Sequence, residues 1–184
     1  MFPFNSKKNE FDNSIKETYQ NIIERSRSKF FYLSLDLQDT FESRFDMIIL
    51  HAFLIFYYFK GLEENQNKFA QLLFDYMFSD FDSNLREMGF GDIAVNKKMK
   101  IFISAFYGRI ANYSKGIDAI KFNNNYMPLK EAIKNNIYKG KIPNDNFLSF
   151  FCDYMVKNID CFTSQSEQSN LKENFKFIGL PKIT

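Results

Sequence analysis

Histidine and cysteine are scarce in this chain, which has one histidine and two cysteines among 184 residues. A zinc site or a multi-histidine hydrolase centre needs several ligands of these two types. The sequence therefore predicts no metal site, and no other cofactor is expected.

The single histidine, His51, could serve as a general base only beside a carboxylate. Asp46 precedes it by five residues, off the three- or four-residue spacing that shares a helix face. No serine or cysteine stands in a nucleophile motif. We predict that the protein is not an enzyme and that His51 is hydrogen-bonded inside a packed helix. An enzyme built around His51 is kept as an alternative.

The two cysteines, Cys152 and Cys161, are nine residues apart. On one helix nine residues turn about 900°, which places the thiols on opposite faces. They then cannot form a disulfide, and a reduced compartment is expected. The opening residues, MFPFNSKKNEF, have no continuous apolar core, so no signal peptide is predicted and the expected location is cytoplasmic.

Runs of apolar residues are short. The run Met47–Phe59 has 13 residues, whereas a membrane-spanning helix needs about 20. We predict that it is a central core helix. The net charge of +2 is too small to indicate a nucleic-acid partner, so no nucleic-acid specificity is expected.

Glycine is infrequent, at seven residues, and loops that bind nucleotides or calcium are incomplete. There is no P-loop, and GFGD at Gly89–Asp92 lacks the third glycine and the preceding strand of a dinucleotide loop. Asp80, Asp82 and Asn84 match three ligand positions of a calcium loop, but Leu85 stands where glycine is required. Neither type of site is predicted.

Phenylalanine is abundant, at 24 copies, in a chain that is 45% apolar and 25% charged. That composition and length suit one globular domain, and apolar residues recur at helical rather than alternating spacing. We predict an all-α fold, a single compact helical domain of about six or seven helices. The predicted organisation is a flexible N-terminus at 1–9, the helical domain at 10–162, and a polar linker with a C-terminal tail at 163–184.

Capping residues mark several predicted helix ends. Asp39 and Glu42 suit a capping box at the start of the second helix, and Gly61 suits its end. Ser79 suits the start of a short helix, and Gly89 the left-handed position after it. The predicted helices are 10–28, 40–60, 64–78, 79–88, 93–120, 128–138 and 145–162, with residues 29–39 as a connector.

The long amphipathic helix near 93–120, with Asp92 as its cap, has the clearest periodicity in the chain. Its apolar positions recur at steps of four and three, which is typical of one helix face. We interpret this face as core-facing rather than as a coiled coil. The positions are Met99, Ile103, Phe106, Ile110, Tyr113, Ile117 and Ile120.

Charged residues accompany the apolar segments. Arg44 and Asp46 open the most hydrophobic helix, Asp82 stands four residues before Arg86, and Arg109 borders the apolar stripe. Charges near a core are costly unless they are paired. They form either a structural ion network or the polar rim of an apolar groove that holds a segment of another protein, lined by phenylalanine and methionine.

Three segments carry distinctive motifs: RFDMIILHAFL (Arg44–Leu54), LLFDYMFSDFDSNLREMGFGDIAVNKKMK (Leu72–Lys100) and AFYGRIANY (Ala105–Tyr113). Taken together, above all through LREMGFGD and FYGR, they resemble the ubiquinol–cytochrome c chaperone family. This is the group of the yeast cytochrome b assembly chaperone and its bacterial relatives. Without a transit-peptide pattern, the chain looks like a bacterial form.

The resemblance implies an all-helical, non-catalytic chaperone that assembles the cytochrome bc1 complex, with cytochrome b as client. A small helical protein and the ribosome are further partners of mitochondrial members. We expect the client-binding or motif residues to form a shaped corner and an adjoining groove. They are Arg44, Asp46, His51, Asp82, Arg86, Glu87, Gly89, Gly91, Asp92, Tyr107, Gly108 and Arg109.

A second hypothesis is a membrane-surface scaffold or homo-oligomer. It would use the basic residues at Lys97–Lys100 or the aromatic tail, with peripheral contact at the inner membrane.

Overall fold

Seven α-helices make up the chain in this computed structural model, which describes residues 4–60, 64–168 and 175–182. Side chains are described for residues 12–60, 68–164 and 175–182. No β-strand occurs within these ranges, in agreement with the all-α prediction. The helices are α1 (Phe4–Ser26), α2 (Lys29–Ser34), α3 (Phe41–Phe59), α4 (Glu64–Glu87), α5 (Asp92–Asn123), α6 (Met127–Asn136) and α7 (Asp145–Gln168).

The core forms around α3, whose residues from Phe45 to Ile55 are all buried. A helix that is apolar on every side must be enclosed by other elements. Helices α1, α4, α5 and α7 pack against it. The run Met47–Phe59 is therefore a core helix, as predicted. Among the described residues, no helix is both long and apolar enough to traverse a lipid bilayer.

Helix α4 is one continuous helix of 24 residues where two helices were predicted. Its buried side chains recur every four residues through the predicted break, so a single core-facing stripe outweighs the local capping signal. Ser79 caps nothing, and its carbonyl accepts a hydrogen bond from the Ser83 hydroxyl at 3.0 Å. The calcium-like residues lie inside this helix and form no loop. The stripe is Phe69, Leu73, Met77, Phe81 and Leu85.

The start of α3 also differs from its predicted cap. Thr40 is the N-cap, and its hydroxyl accepts a hydrogen bond from the Ser43 amide at 3.2 Å. Asp39 instead pairs with Arg44, which leaves the predicted box with Glu42 unformed. The end at Phe59 agrees with the prediction, whereas Gly61 lies outside the described residues.

The remaining boundaries extend several predicted helices. The backbone of α1 is helical from Phe4, within the predicted flexible 1–9, although residues 1–3 lie outside the described part. The predicted connector contains α2, because Phe30 and Phe31 are buried there. Helix α7 continues to Gln168, past the predicted start of the linker. The long helix α5 confirms the prediction near 93–120.

Residues 175–182 return to the helical body. Phe175 is buried against the rings of Phe59 and Phe162, and the Ile178 amide donates a hydrogen bond to Asn158 at 3.0 Å. This part of the predicted tail therefore docks on the protein itself, because its aromatic residues complete the core. Residues 169–174 and 183–184 lie outside the described ranges.

Helices α5 and α6 approach closely at Gly116, which is buried. A Cβ added there would lie 2.7 Å from the Leu129 Cα and 2.8 Å from its Cβ. Gly108, on the same helix, is exposed and has no atom within 4 Å of an added Cβ. Replacing each of these two glycines by alanine therefore separates the effect of packing on stability from that of helix propensity.

We expect Gly116→Ala to lower the free energy of unfolding by about 1–3 kcal/mol, because α6 must move away from α5. Gly108→Ala, the matched control, should raise it by about 1 kcal/mol through helix propensity. Urea unfolding followed by circular dichroism measures both values. A Gly116→Ala variant as stable as Gly108→Ala would contradict the close α5–α6 packing.

Candidate functional site

The corner between α4 and α5 depends on the backbone conformation of its glycines and on the guanidinium of Arg86. Gly89 adopts φ +85°, which favours glycine, and its amide donates to the Arg86 carbonyl at 2.9 Å. Gly91 is the N-cap of α5, so Asp92 is its first residue and not the predicted cap. Glu87 ends α4 and is exposed. The predicted corner residues therefore do lie together.

Arg86 braces this corner by contacting two carboxylates. Its Nε donates to Asp82 and its Nη1 to Asp92, each at 2.5 Å. These hydrogen bonds raise the pKa of Arg86 above its ordinary value. A lysine offers a single nitrogen and cannot reproduce this fork. The predicted Asp82–Arg86 pair is therefore confirmed, with Asp92 as a third member.

Asp46 and Arg109 form a buried ion pair between α3 and α5. Only 1% of the Asp46 side chain is exposed, and its Oδ1 lies 2.6 Å from Arg109 Nη2. The contact is a close approach of charges without the alignment of a hydrogen bond. Arg109 Nη1 also donates to the Ala105 carbonyl at 3.1 Å. The second Asp46 oxygen contacts the ammonium of Lys139.

Lys139 is a member of this cluster that sequence reasoning missed. It lies 93 residues from Asp46 in a turn after α6 and has φ +54°. The predicted helices 128–138 and 145–162 leave a short connection between them, but nothing in the sequence links that connection with α3. The cluster joins α3, α5 and the turn after α6. Of the two interpretations of the charged residues, it fits a structural ion network rather than the polar rim of a groove.

His51 lies in the core, apart from both charge clusters. Its Nδ1 donates to the Met47 carbonyl at 2.8 Å and lies 3.0 Å from the Ser26 hydroxyl. Because a carbonyl only accepts, Nδ1 carries the proton, and Nε2 accepts from Tyr154 at 3.0 Å. Burial lowers the pKa of His51 to about 3. The hydrogen-bonded core histidine that the sequence predicts is confirmed.

A cleft of about 220 Å³ lies between α1, α3 and α4, and we call it the α1–α4 cleft. Its apolar residues include two exposed ones at the edge, Phe41 and Met88. Arg44 is part of its polar rim and holds Asp39 in a two-pronged ion pair, which lowers the pKa of Asp39. The other apolar residues are Ile23, Phe45, Ile48 and Phe81, and the other polar ones are Ser26, Arg27, Asp80 and Asn84.

The predicted site residues thus fall into separate places. Arg86 lies about 180° around α4 from the side that lines the cleft. Tyr107 and Gly108 are exposed on the outside of α5, where the Tyr107 ring packs 5.9 Å from that of Phe74. The cleft has the apolar floor and polar rim expected of a groove, but α1, which supplies one wall, carries none of the predicted site residues.

We expect Asp46→Asn to lower the free energy of unfolding by about 3 kcal/mol, since the Arg109 charge would stay largely buried without its anion. Asp39→Asn is the matched control, because it breaks an ion pair to Arg44 in which both side chains are half exposed. Its unfolding midpoint should stay unchanged. Equal urea midpoints for the two variants would contradict a contribution of the buried Asp46–Arg109 pair to stability.

Protonation of His51 should destabilise the fold between about pH 6.5 and pH 3. An unfolded histidine binds its proton below about pH 6.5, whereas the folded one resists protonation until about pH 3. The free energy of unfolding then falls with falling pH by up to about 1.4 kcal/mol per pH unit. Urea unfolding gives the free energy of unfolding of the wild type and of His51→Gln at each pH, and the two values should converge as the pH falls. A constant difference between them from about pH 6.5 to pH 3 would refute the role of His51.

Comparison with known proteins identifies the family. The family described as ubiquinol-cytochrome C chaperone matches residues 33–177. Ubiquinol-cytochrome c reductase complex assembly factor 1 of Homo sapiens is 22% identical over 153 residues, which are 83% of this chain and 50% of that protein. The Mus musculus protein of the same name matches equally. The chain thus spans about half the length of these curated relatives.

A solved structure agrees over nearly the whole chain. The crystal structure of the Cbp3 homolog from Brucella abortus superposes with a TM-score of 0.83 and 29% sequence identity. The match covers 96% of this chain and 94% of that one. Since the family match spans most of the sequence and includes α3, α4, α5, α6 and α7, the chain belongs to the ubiquinol–cytochrome c chaperone family.

Proposed function

We propose that the protein is a non-catalytic assembly chaperone of the ubiquinol–cytochrome c reductase (bc1) complex, with cytochrome b as its client. Family membership supports a chaperone, and the names of the mammalian relatives support the bc1 complex as the assembly it serves. Cytochrome b as the client follows from the family resemblance of the three motif segments.

The α1–α4 cleft is the observation that best supports the proposed binding of a client segment. It is smaller than the roughly 300–1,000 Å³ typical of small-molecule sites, so it suits apolar side chains from a protein segment. Its edge exposes 44% of Phe41 and 58% of Met88. A flexible methionine beside rings adapts to varied apolar surfaces, as in helix-in-groove recognition. Arg27 and Arg44 would orient a client segment from the rim.

The chemistry of the core supports a non-catalytic role. Both ring nitrogens of His51 are engaged by buried partners, so neither faces a substrate. Cys152 is buried as well, and burial raises the pKa of its thiol to about 12, which keeps it protonated at neutral pH. Neither group is therefore placed as a base or nucleophile.

Location and further partners belong to the same proposal. We place the protein in the cytoplasm with peripheral contact at the inner membrane, and we expect its partners to include bc1 subunits. A small helical partner protein and the ribosome stay predictions from the family resemblance.

We expect cross-linked co-purification from a native membrane fraction to recover cytochrome b with the wild-type chain. The double variant Phe41→Ser/Met88→Ser should reduce that recovery on the order of ten-fold, because it removes two apolar anchors. Its melting temperature should stay near that of the wild type, since both side chains are about half exposed.

Leu33→Ser/Ile142→Ser is the matched control, because it removes two exposed apolar side chains that do not line the cleft. It should capture cytochrome b like the wild type. Failure of the wild type to recover cytochrome b or any other bc1 subunit would count against the function itself. Equal recovery by both double variants would instead reject the cleft as the client site.

A further inference from the structure

The outside of α5 presents apolar side chains between lysines. Ile93, Ile101 and Tyr107 expose 88%, 56% and 58% of their surface. Lys97 and Lys100 are exposed between them. At about 100° per residue, all five lie on one side of α5, opposite the buried stripe, and we call them the α5 outer face.

Positive charge is concentrated on this helix. Helix α5 carries six lysine and arginine side chains and two carboxylates, although the whole chain has a net charge of only +2. Both carboxylates have cationic partners from other elements, Arg86 for Asp92 and Lys60 for Asp118. Between them the helix has no acidic residue, so the two lysines of the outer face have no carboxylate neighbour on it.

We propose that the α5 outer face docks on an anionic lipid surface. The binding of a surface helix to a membrane grows with the apolar area that it inserts and with the attraction of its lysines to anionic lipids, and this face offers both. Tyrosine suits this zone because its ring is apolar and its hydroxyl polar. The lysines would meet anionic headgroups, each of which attracts them within a Debye length.

The shape of the face favours lipid over a protein partner. The face is the convex side of a single helix, whereas a protein that recognises a helix usually holds an apolar stripe in a groove. Here the apolar side chains are separated by charge and form no continuous stripe. The docking is independent of the client, because none of the five residues lines the α1–α4 cleft.

Vesicle flotation tests the proposal with the full chain and no client. The probes are vesicles of phosphatidylcholine alone and vesicles of equal parts phosphatidylcholine and phosphatidylglycerol. We expect the protein to float with the anionic vesicles at about 0.05 M NaCl, to float much less at about 0.5 M NaCl, and to stay behind with the neutral ones.

Two double variants locate the binding face. Lys97→Glu/Lys100→Glu should weaken binding to the anionic vesicles on the order of 30-fold, from about five-fold for each lysine contact. Its control is Lys141→Glu/Lys157→Glu, which changes the net charge equally at exposed lysines elsewhere. Ile93→Ser/Ile101→Ser should also weaken binding, whereas Leu33→Ser/Ile142→Ser should not. Circular dichroism checks that every variant is folded.

Three outcomes would overturn the proposal. The absence of flotation with anionic vesicles would reject lipid binding and would favour a protein partner for the α5 outer face. Equal losses in the two lysine double variants would show a dependence on net charge alone. Wild-type binding by both outer-face variants would place any lipid contact on another surface.

Discussion

The enclosure of α3 is the constraint on which the rest of the structure depends. Its eleven residues from Phe45 to Ile55 are buried, and two of them, Asp46 and His51, are polar. Apolar burial alone would accept several arrangements of the surrounding helices. Buried polar groups are costly without partners, so Asp46 requires cations from α5 and the turn after α6, and His51 requires α1 and α7. These needs select one arrangement of helices.

The surfaces proposed to bind partners lie outside this arrangement. The α1–α4 cleft exposes the edges of phenylalanine and methionine side chains, whose inner neighbours belong to the core. The α5 outer face is opposite the side of α5 that packs inward. Arg86 links Asp82 near the end of α4 to Asp92 at the start of α5, and so it helps to hold the corner that joins these two helices. The contacts that stabilise the fold and the proposed binding surfaces thus lie on different sides of the same helices.

Periodicity in the sequence predicts the helices well where their apolar stripes are long. It predicts α3 and α5, and the left-handed residue Gly89, because spacing and glycine chemistry act locally. The sequence prediction of two helices in place of α4 is wrong. Ser79 resembles a helix cap locally, but the apolar stripe continues beyond it and keeps the helix intact. Periodicity places Arg109 near the core, but it cannot pair Asp46 with Lys139, because that contact depends on the packing of distant segments. For the same reason it does not reveal that α1 forms a wall of the cleft.

The docking of residues 175–178 has a consequence for the order in which the protein folds. Phe175 occupies a place in the core among rings from α3, α4 and α7, and its carbonyl accepts a hydrogen bond from Asn21 of α1, 154 residues earlier. Arg25 of α1 likewise donates to the Phe177 carbonyl. During synthesis α1 leaves the ribosome first, yet its surroundings are complete only after residue 177 has emerged. Helices made early must therefore wait with part of the core open, and the final closure is an event of the whole chain rather than of its growing end.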